Sequence, residues 1–316
     1  IISFKLIYSY IVLKGVILNI SVVIPLYNKE DSVKRTLDSL LYQLDSNDEV
    51  IVIDDGSTDN SKSIIKNLFD ERVVLIEKEN GGVSSARNLG ILKSRYNYIA
   101  LLDADDILLP GAIDTYKSSI EFFPNCSLYC FGYDIVSDKG RRKIKLTTKS
   151  RTLSDYEYFI LCSKNRNSEL TSQSSIVINK NNAVDCGLYK EGVTHSEDIE
   201  FCARLVLSGN DVFVSNKLVA EYILTSENRS NSNLKPEVRY IVKSLDVIIS
   251  DVGSTRLISS LKSYRDKHVI HSLIYQLRYG YFKECKALLL KYDMKNTSYY
   301  YTIYKIFIKL FFRLFK

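Results

Sequence analysis

The sequence predicts an α/β fold, in which a mostly parallel β-sheet is flanked by helices and followed by an α-helical appendage. Between Ile20 and Leu102, short apolar runs rich in β-branched residues alternate with segments of helical periodicity. This alternation is typical of parallel strands joined by right-handed helical crossovers. After Asn228 the helical patterns continue alone, at Pro236–Ser250, Leu257–Leu277 and Phe282–Tyr292.

Four strands are predicted in the alternating part, and the first of them is apolar enough to be buried on both faces. They are Ile20–Leu26, Glu49–Ile53, Val73–Glu77 and Tyr98–Leu102. Three helices separate them, with apolar residues at helical spacing. These helices centre on Val33–Leu44, Ile64–Phe69 and Ser84–Leu92.

Polar clusters follow these predicted strands, each at a strand's carboxyl end or in the turn beyond it. The clusters are Tyr27-Asn28, Asp54-Asp55, Asn80 with Arg87, and Asp103 to Asp106. In an open parallel sheet, ligands bind beyond the carboxyl ends of the strands. Four clusters converging on one edge therefore predict a binding site there.

The acidic clusters allow two interpretations when each is taken alone. Asp103 and Asp105 stand two apart after a buried strand, where they could share Mg²⁺ or Mn²⁺ with a substrate diphosphate. The alternative is a solvated acidic turn. Asp55 could accept a hydrogen bond from a nucleobase imide, or it could simply bond to neighbouring backbone amides in a turn.

A third acidic site lies downstream, at the start of a predicted helix whose apolar face includes Ile199 and Cys202. Thr194 and Glu197 match a capping box, which favours a structural role for Glu197. Asp198 is then the freer carboxylate in the first turn. The positive end of the helix dipole favours its ionised form, as a general base requires.

Five ordered segments resemble glycosyltransferase family 2 enzymes of the GT-A fold. They are SVVIPLYNKE, IVIDDGSTDNS, NGGVSSARNLGI, LLDADD and SEDIEFCARL, and the resemblance extends from about Ile20 to Asn228. It implies a Rossmann-like GT-A domain, a nucleotide-sugar donor, usually a UDP-sugar, and inversion at the anomeric carbon. A hydroxyl of a glycan or lipid-linked acceptor would receive the sugar, in the synthesis of a bacterial surface polysaccharide.

The resemblance also implies roles for individual residues. Pro25 and Tyr27 would lie beside the nucleobase, and Asp55 would accept from its imide. Arg87 falls within the donor-side motif. Asp103 would face the donor ribose or the metal, Asp105 would ligate Mg²⁺ or Mn²⁺, and Asp198 would be the catalytic base.

One departure concerns the third metal contact, which many relatives supply as a histidine. The matching position here is Ser226, and Glu227 or water are the alternatives. The chain's three histidines are not expected to replace it. His195 is interpreted as a residue at the entry of a helix, and the pair His268 and His271 as a surface feature.

The charge of the chain is concentrated in its C-terminal segment. The net charge is +6, and the segment from Lys283 onward carries eight basic and two acidic residues, which leaves the rest formally neutral. This distribution argues against nucleic-acid binding by the main domain. Within residues 299–316, the recurrence of Lys305, Lys309 and Arg313 every four residues predicts an amphipathic helix on an anionic membrane surface. A helix packed on the main domain is the alternative.

These patterns divide the chain into three parts. Residues 1–17 are interpreted as a leader that does not belong to the native protein, with a transmembrane anchor as the alternative. Residues 18–228 form the GT-A domain, and residues 229–316 form the helical region with its basic tail. The six cysteines lack a C-x-x-C pair or a preceding secretory signal, which indicates free thiols in a reducing compartment. We expect a cytoplasmic enzyme, peripheral on the inner face of the cell membrane.

Two rival functions use the same residues. A non-catalytic GT-A protein that binds a nucleotide or a partner would tolerate the missing histidine, although Asp55, Asp105 and Asp198 are all present. A phosphoryl-transfer enzyme would use Asp103 as nucleophile and Asp105 as acid. The absence of a Gly-Thr pair after these residues argues against it.

Overall fold

The computed structural model describes residues 18–146, 149–164, 171–193, 195–224 and 240–293, together with Ile308 and Phe311. Within these ranges, the helices are too short or too polar for any of them to cross a membrane.

The alternating part of the chain folds as four parallel strands with helical crossovers. The strands are β1 (Ser21–Leu26), β2 (Glu49–Asp54), β3 (Val73–Glu77) and β4 (Tyr98–Leu101). The helices between them are α1 (Val33–Leu41), α2 (Ser61–Lys66) and α3 (Val83–Lys93). The structure corrects both ends of the predicted second helix, which runs from Ser61 to Lys66. It begins earlier than predicted because the Asp59 carboxylate accepts the N–H of Ser61 at 3.0 Å.

The second half of the domain adds further strands and helices, and only the last of these helices was predicted from the sequence. The strands are β5 (Ile107–Leu108), β6 (Leu128–Ser137), β7 (Gly140–Ile144), β8 (Arg151–Leu153), β9 (Ile176–Asn179) and β10 (Val212–Ile223). The helices are α4 (Ala112–Phe122), α5 (Asp155–Lys164), α6 (Lys180–Asp185) and α7 (Glu197–Val206).

All the strands belong to one sheet, with the order β3-β2-β1-β4-β9-β6-β10-β5 and with β7 and β8 paired to β6 and β10. The four N-terminal strands are parallel, as predicted. Strand β9 is antiparallel to both β4 and β6, whereas β6 and β10 are parallel. The predicted α/β fold with flanking helices is therefore confirmed, and the added strands make the complete sheet mixed.

The C-terminal region is helical, as predicted, and it packs on the domain. Its helices are α8 (Tyr240–Asp251), α9 (Thr255–Arg278) and α10 (Phe282–Lys291). Helix α9 lies against α5, where the rings of Tyr264 and Phe159 are 5.5 Å apart and Lys267 Nζ donates to the Cys162 carbonyl at 3.0 Å. Helix α8 lies against α7, where Ser244 Oγ donates to Glu200 at 2.8 Å.

The histidines of α9 differ from the prediction. His268 is fully buried, and its ring lies edge-on to Tyr264 at 4.7 Å. The prediction of a surface pair was therefore wrong for His268, because α9 is covered by α5 on this side. The prediction of free cysteines is confirmed for all six, and Cys202 is buried on the inner face of α7.

The basic tail lies outside the described residues except at two positions. Ile308 is 1% exposed, and the Phe311 ring stacks on Phe282 at 5.9 Å. These two side chains therefore contact the protein.

Helix α3 approaches β1 unusually closely. A Cβ at Gly90 would stand 2.3 Å from Val23 Cγ1 and 3.4 Å from Ile53 Cγ1. Glycine at this position therefore sets the distance between the sheet and the helix that carries Arg87.

Gly90→Ala is expected to lower the free energy of unfolding by about 1–3 kcal/mol, because the added methyl group overlaps Val23. Chemical denaturation measures this loss. Val23→Ala makes room for the methyl group, so the double variant should lose less than the sum of the two single changes. Strict additivity would contradict this account of the packing.

Candidate functional site

The loops after β1 and β2 are tied together. Asn28 has a left-handed backbone (φ 50°), and its N–H donates to Ser57 Oγ at 3.1 Å. Its side-chain oxygen accepts the N–H of Thr58 at 2.8 Å. Pro25 is the penultimate residue of β1 and pairs with Ile53, and Tyr27 is 44% exposed in the loop. Both residues thus stand at the predicted edge, with the Tyr27 side chain accessible to a ligand.

Asp55 fixes the start of α3. Its Oδ1 accepts from Lys78 Nζ at 2.6 Å and from the Gly81 N–H at 2.9 Å, and its Oδ2 accepts from the Gly82 N–H at 2.8 Å. Gly82 has a φ of 86°, which a side chain would disfavour. The amides that Asp55 contacts are 26 and 27 residues away rather than in its own turn, where Asp54 accepts the Ser57 N–H at 3.3 Å instead. The Asp55 carboxylate thereby organises the loop that leads to Arg87.

The turn that carries Asp103 and Asp105 is held by α1. Thr36 Oγ1 donates to the carbonyls of Ala104 at 2.9 Å and Asp106 at 2.7 Å. Asp103 and Asp105 keep 26% and 15% of their side chains exposed. Both carboxylates therefore reach the sheet edge on a rigid turn.

Arg87 is the buried cation of the site. Its Nη2 donates to Asp103 Oδ1 at 2.7 Å, and its Nη1 lies 3.8 Å from Glu197 Oε1. Burial alone would lower the pKa of the guanidinium, but the charges of Asp103 and Glu197 and the nearby Tyr189 outweigh it and hold the pKa above its usual value. Arg87 therefore joins the donor-side turn to the start of α7 as a permanent positive charge.

The start of α7 corrects the predicted capping box. The helix begins at Glu197, and its N-cap is Ser196, which has a left-handed backbone (φ 65°) and no side-chain capping bond. Glu197 is therefore the first helical residue rather than the third, and it faces Arg87. Thr194 lies outside the described residues. Asp198 stands in the first turn as predicted, and its Oδ1 accepts the N–H of Ile199 at 2.7 Å.

Tyr189 and Asn88 hold Arg87 in position, and neither residue was predicted from the sequence. The Arg87 guanidinium lies over the Tyr189 ring at 5.5 Å, and that ring stacks on Phe201 of α7 at 4.0 Å. The Asn88 side chain accepts from the Tyr189 N–H at 2.8 Å and donates to its carbonyl at 2.9 Å. The sequence indicated a role for Asn88 only in that it directly follows Arg87.

Asp106 is the last residue of the predicted polar cluster, and the structure gives it a supporting role. Its side chain is fully buried, and it accepts from Ser174 Oγ and, at 3.0 Å, from the Ile223 N–H of β10. Burial, followed by the charge of Asp103, raises the pKa of this carboxyl well above its usual value. Asp106 therefore ties the turn to β10 rather than facing a ligand.

Two lysines also lie at the edge without having been predicted. Lys78 pairs with Asp55, and Lys29 Nζ lies 2.7 Å from Asp105 Oδ2. The loop lysines thus place positive charge beside two of the predicted donor-side carboxylates.

Ser226 and Glu227, the candidates for the third metal contact, lie outside the described residues. His195 precedes α7 by two residues, consistent with its interpretation as a helix-entry residue. Among the residues that the structure describes, no group of three or more His, Cys, Asp or Glu side chains is arranged to hold a metal.

Comparison with known proteins identifies the family. Residues 21–192 match the model of glycosyl transferase family 2. This match covers more than half of the chain, so the chain belongs to glycosyl transferase family 2, as the resemblance of its motifs predicted.

Curated relatives share the N-terminal part. Over 106 residues, 33% of this chain, it is 40% identical to the glycosyltransferase GlyA of Streptococcus pneumoniae, of which it covers 15%. Over 105 residues, 32% of this chain, it is 38% identical to GlyG of the same organism, of which it covers 35%. The chain thus spans much less than two thirds of the length of these relatives.

The solved structure of S. aureus TarS in complex with UDP-GlcNAc has a similar fold. It superposes with a TM-score of 0.67 at 18% identity, over 79% of this chain and 72% of the TarS chain. TarS in complex with UDP gives a TM-score of 0.64. The likeness establishes a GT-A-like fold for this chain.

Proposed function

We propose that this glycosyltransferase binds a nucleotide-sugar, with a UDP-sugar as the first candidate, and transfers the sugar with inversion to a hydroxyl of a glycan or lipid-linked acceptor. The observation that carries the proposal is the position of Arg87, which contacts Asp103 on the donor side and Glu197 beside Asp198. Donor residues and the candidate base thereby meet at one sheet edge.

The polar atoms of Arg87 support an anionic ligand. Its Nε and Nη1 are buried and have no hydrogen-bond partner within the described part of the chain. The buried positive charge of the guanidinium favours negative charge at the adjoining sheet edge, as a diphosphate would supply. S. aureus TarS, which has a similar fold, has been solved in complex with UDP-GlcNAc and with UDP, which makes a uridine nucleotide the first to test.

Asp55 and Tyr27 are proposed to hold the nucleobase. Each carboxylate oxygen has two lone pairs, so Asp55 Oδ2 can accept an imide N–H beside its bond from Gly82. Tyr27 is exposed and follows Leu26, whose carbonyl accepts the Asp55 N–H at 2.8 Å, so that its aromatic ring and Pro25 belong to the same strand end. The base would thus be read by one hydrogen bond and by stacking.

The donor set suits Mg²⁺ or Mn²⁺. Asp105, with Asp103 as a second candidate, supplies hard carboxylate oxygens on a rigid, partly exposed turn, and a cation, the Lys29 ammonium, already lies against Asp105. When bound, the metal would neutralise charge on the leaving diphosphate. Arg87 holds Asp103 in place and adds its own charge at the same edge.

Asp198 is proposed as the general base. It would take the proton of the acceptor hydroxyl as that oxygen attacks the anomeric carbon from the face opposite the diphosphate. One base suffices for this single displacement, and the sugar inverts. The backbone of Asp198 is fixed by the first turn of α7, while Phe201 and Tyr189 hold that helix against the donor side.

Asp198→Asn is expected to lower sugar transfer by about 10²-fold or more, because the amide keeps the shape but cannot take the proton. UDP binding should be retained, which separates this role from donor binding. The matched control is Asp185→Asn, an exposed residue in α6 that should transfer like the wild type.

Transfer by Asp198→Asn at the wild-type rate would exclude Asp198 as the base. If the wild type bound UDP but transferred no sugar from a panel of UDP-sugars to glycan and lipid-linked acceptors, the non-catalytic alternative would replace the proposal.

The setting we propose is bacterial surface polysaccharide synthesis at the inner face of the cell membrane. Helix α10 buries Cys285 and Leu288, and it exposes Lys283, Lys286 and, with 81% of its surface accessible, Leu290. A basic face with an exposed leucine suits anionic headgroups.

Lys283→Glu with Lys286→Glu should weaken cosedimentation with phosphatidylglycerol vesicles, and deletion of residues 299–316 should weaken it further, because both remove positive charge. The control is Lys139→Glu with Lys143→Glu, which changes the same charge in and beside the exposed β6–β7 turn. Equal vesicle binding by all variants would favour the tail as a helix packed on the domain.

A further inference from the structure

Lys29 is delivered to Asp105 by a fixed backbone. Its N–H donates to Ser61 Oγ at 2.8 Å, and its carbonyl accepts the N–H groups of Ser32 at 3.1 Å and Val33 at 2.9 Å. From this position its side chain reaches Asp105 Oδ2 at 2.7 Å, and the two side chains are only 14% and 15% exposed. The pair therefore lies in a largely desolvated setting, where charge interactions are stronger than in water.

Asp105 is anchored as firmly on its own side. Thr36 Oγ1 donates to the carbonyls of Ala104 and Asp106, on either side of Asp105. Arg35 Nη2 lies 3.4 Å from the carbonyl oxygen of Asp105 itself. The backbone of the turn is therefore fixed beside Lys29. The flexible part of the pair is the four-carbon stem of the lysine.

A divalent cation and the Lys29 ammonium compete for the same carboxylate. Because like charges repel strongly at contact distance in a partly desolvated site, a metal on Asp105 requires the ammonium to move away. A nucleotide diphosphate would give that ammonium a new anionic partner at the same edge.

We propose that Lys29 is a resident counter-ion that makes divalent-cation binding at Asp105 depend on the nucleotide. Without the nucleotide, the ammonium neutralises Asp105 and opposes the metal. With the nucleotide bound, the ammonium transfers to the diphosphate and the carboxylate becomes available. The binding of the metal and the binding of the nucleotide are therefore positively coupled, and Lys29 sets the size of that coupling. This inference rests on the proposed donor site.

The test measures Mn²⁺ affinity from the electron paramagnetic resonance signal of free Mn²⁺, with and without UDP, on the full chain. In Lys29→Met, the affinity without UDP should rise at least about tenfold, because the competing charge is gone. The factor by which UDP strengthens Mn²⁺ binding should shrink correspondingly. Lys29→Arg keeps the charge and should retain strong coupling.

The matched control is Lys34→Met, which removes an exposed lysine that pairs with Asp38 on the outer face of α1, and it should bind Mn²⁺ like the wild type. Lys29→Gln is a second uncharged variant, and thermal unfolding checks that each variant is folded. Unchanged Mn²⁺ affinity and unchanged coupling in both uncharged variants would overturn the role of Lys29 alone. Failure of the wild type to bind either Mn²⁺ or UDP would overturn the proposed donor site as well.

Discussion

The buried guanidinium of Arg87 is the interaction on which the rest of the site depends. It is 5% exposed and lies between Asp103, which follows β4, and Glu197, which begins α7. A buried charge is tolerated only when it is paired, so these segments must stay together for the domain to remain stable. The same pairing brings Asp103, a predicted donor-side residue, close to the helix that carries the candidate base.

Several constraints from the sequence hold Arg87 at this point. Gly90 lets α3 approach β1, and Asp55 fixes the first turn of the helix through the N–H groups of Gly81 and Gly82. From the other side, Tyr189 supports the guanidinium and is itself held by Asn88. Packing and function are therefore linked, since the contacts that stabilise α3 also orient the charged groups.

The parallel half of the fold and the place of the site could be predicted from the sequence, because strand periodicity and strand-end polarity are local signals. Asp55, Asp103 and Asp105 stand where those signals put them. The antiparallel strands could not be predicted in the same way, since the pairing of β9 with β4 and β6 is decided by distant segments. The capping box failed for a related reason, because Glu197 is recruited by Arg87, 110 positions earlier in the chain.

The ion pairs of the site could not be predicted either, because they also join distant segments of the chain. Lys29 and Asp105 are 76 residues apart, and no periodicity links them, so only the folded chain shows that the candidate metal ligand already has a cationic partner. His268 was misplaced because its burial comes from α5, more than a hundred residues away. Local patterns thus predict which edge of the sheet carries the candidate site, and tertiary contacts decide which charged side chains meet there.

Calorimetric titration with UDP, in the presence and absence of Mn²⁺, tests the central claim most directly. The account predicts saturable binding by the wild type that Mn²⁺ strengthens, and at least about tenfold weaker binding by Asp55→Asn, with Asp185→Asn as the folded control. Absence of UDP binding under both conditions, or equal binding by Asp55→Asn, would contradict the assignment of this sheet edge as the donor site.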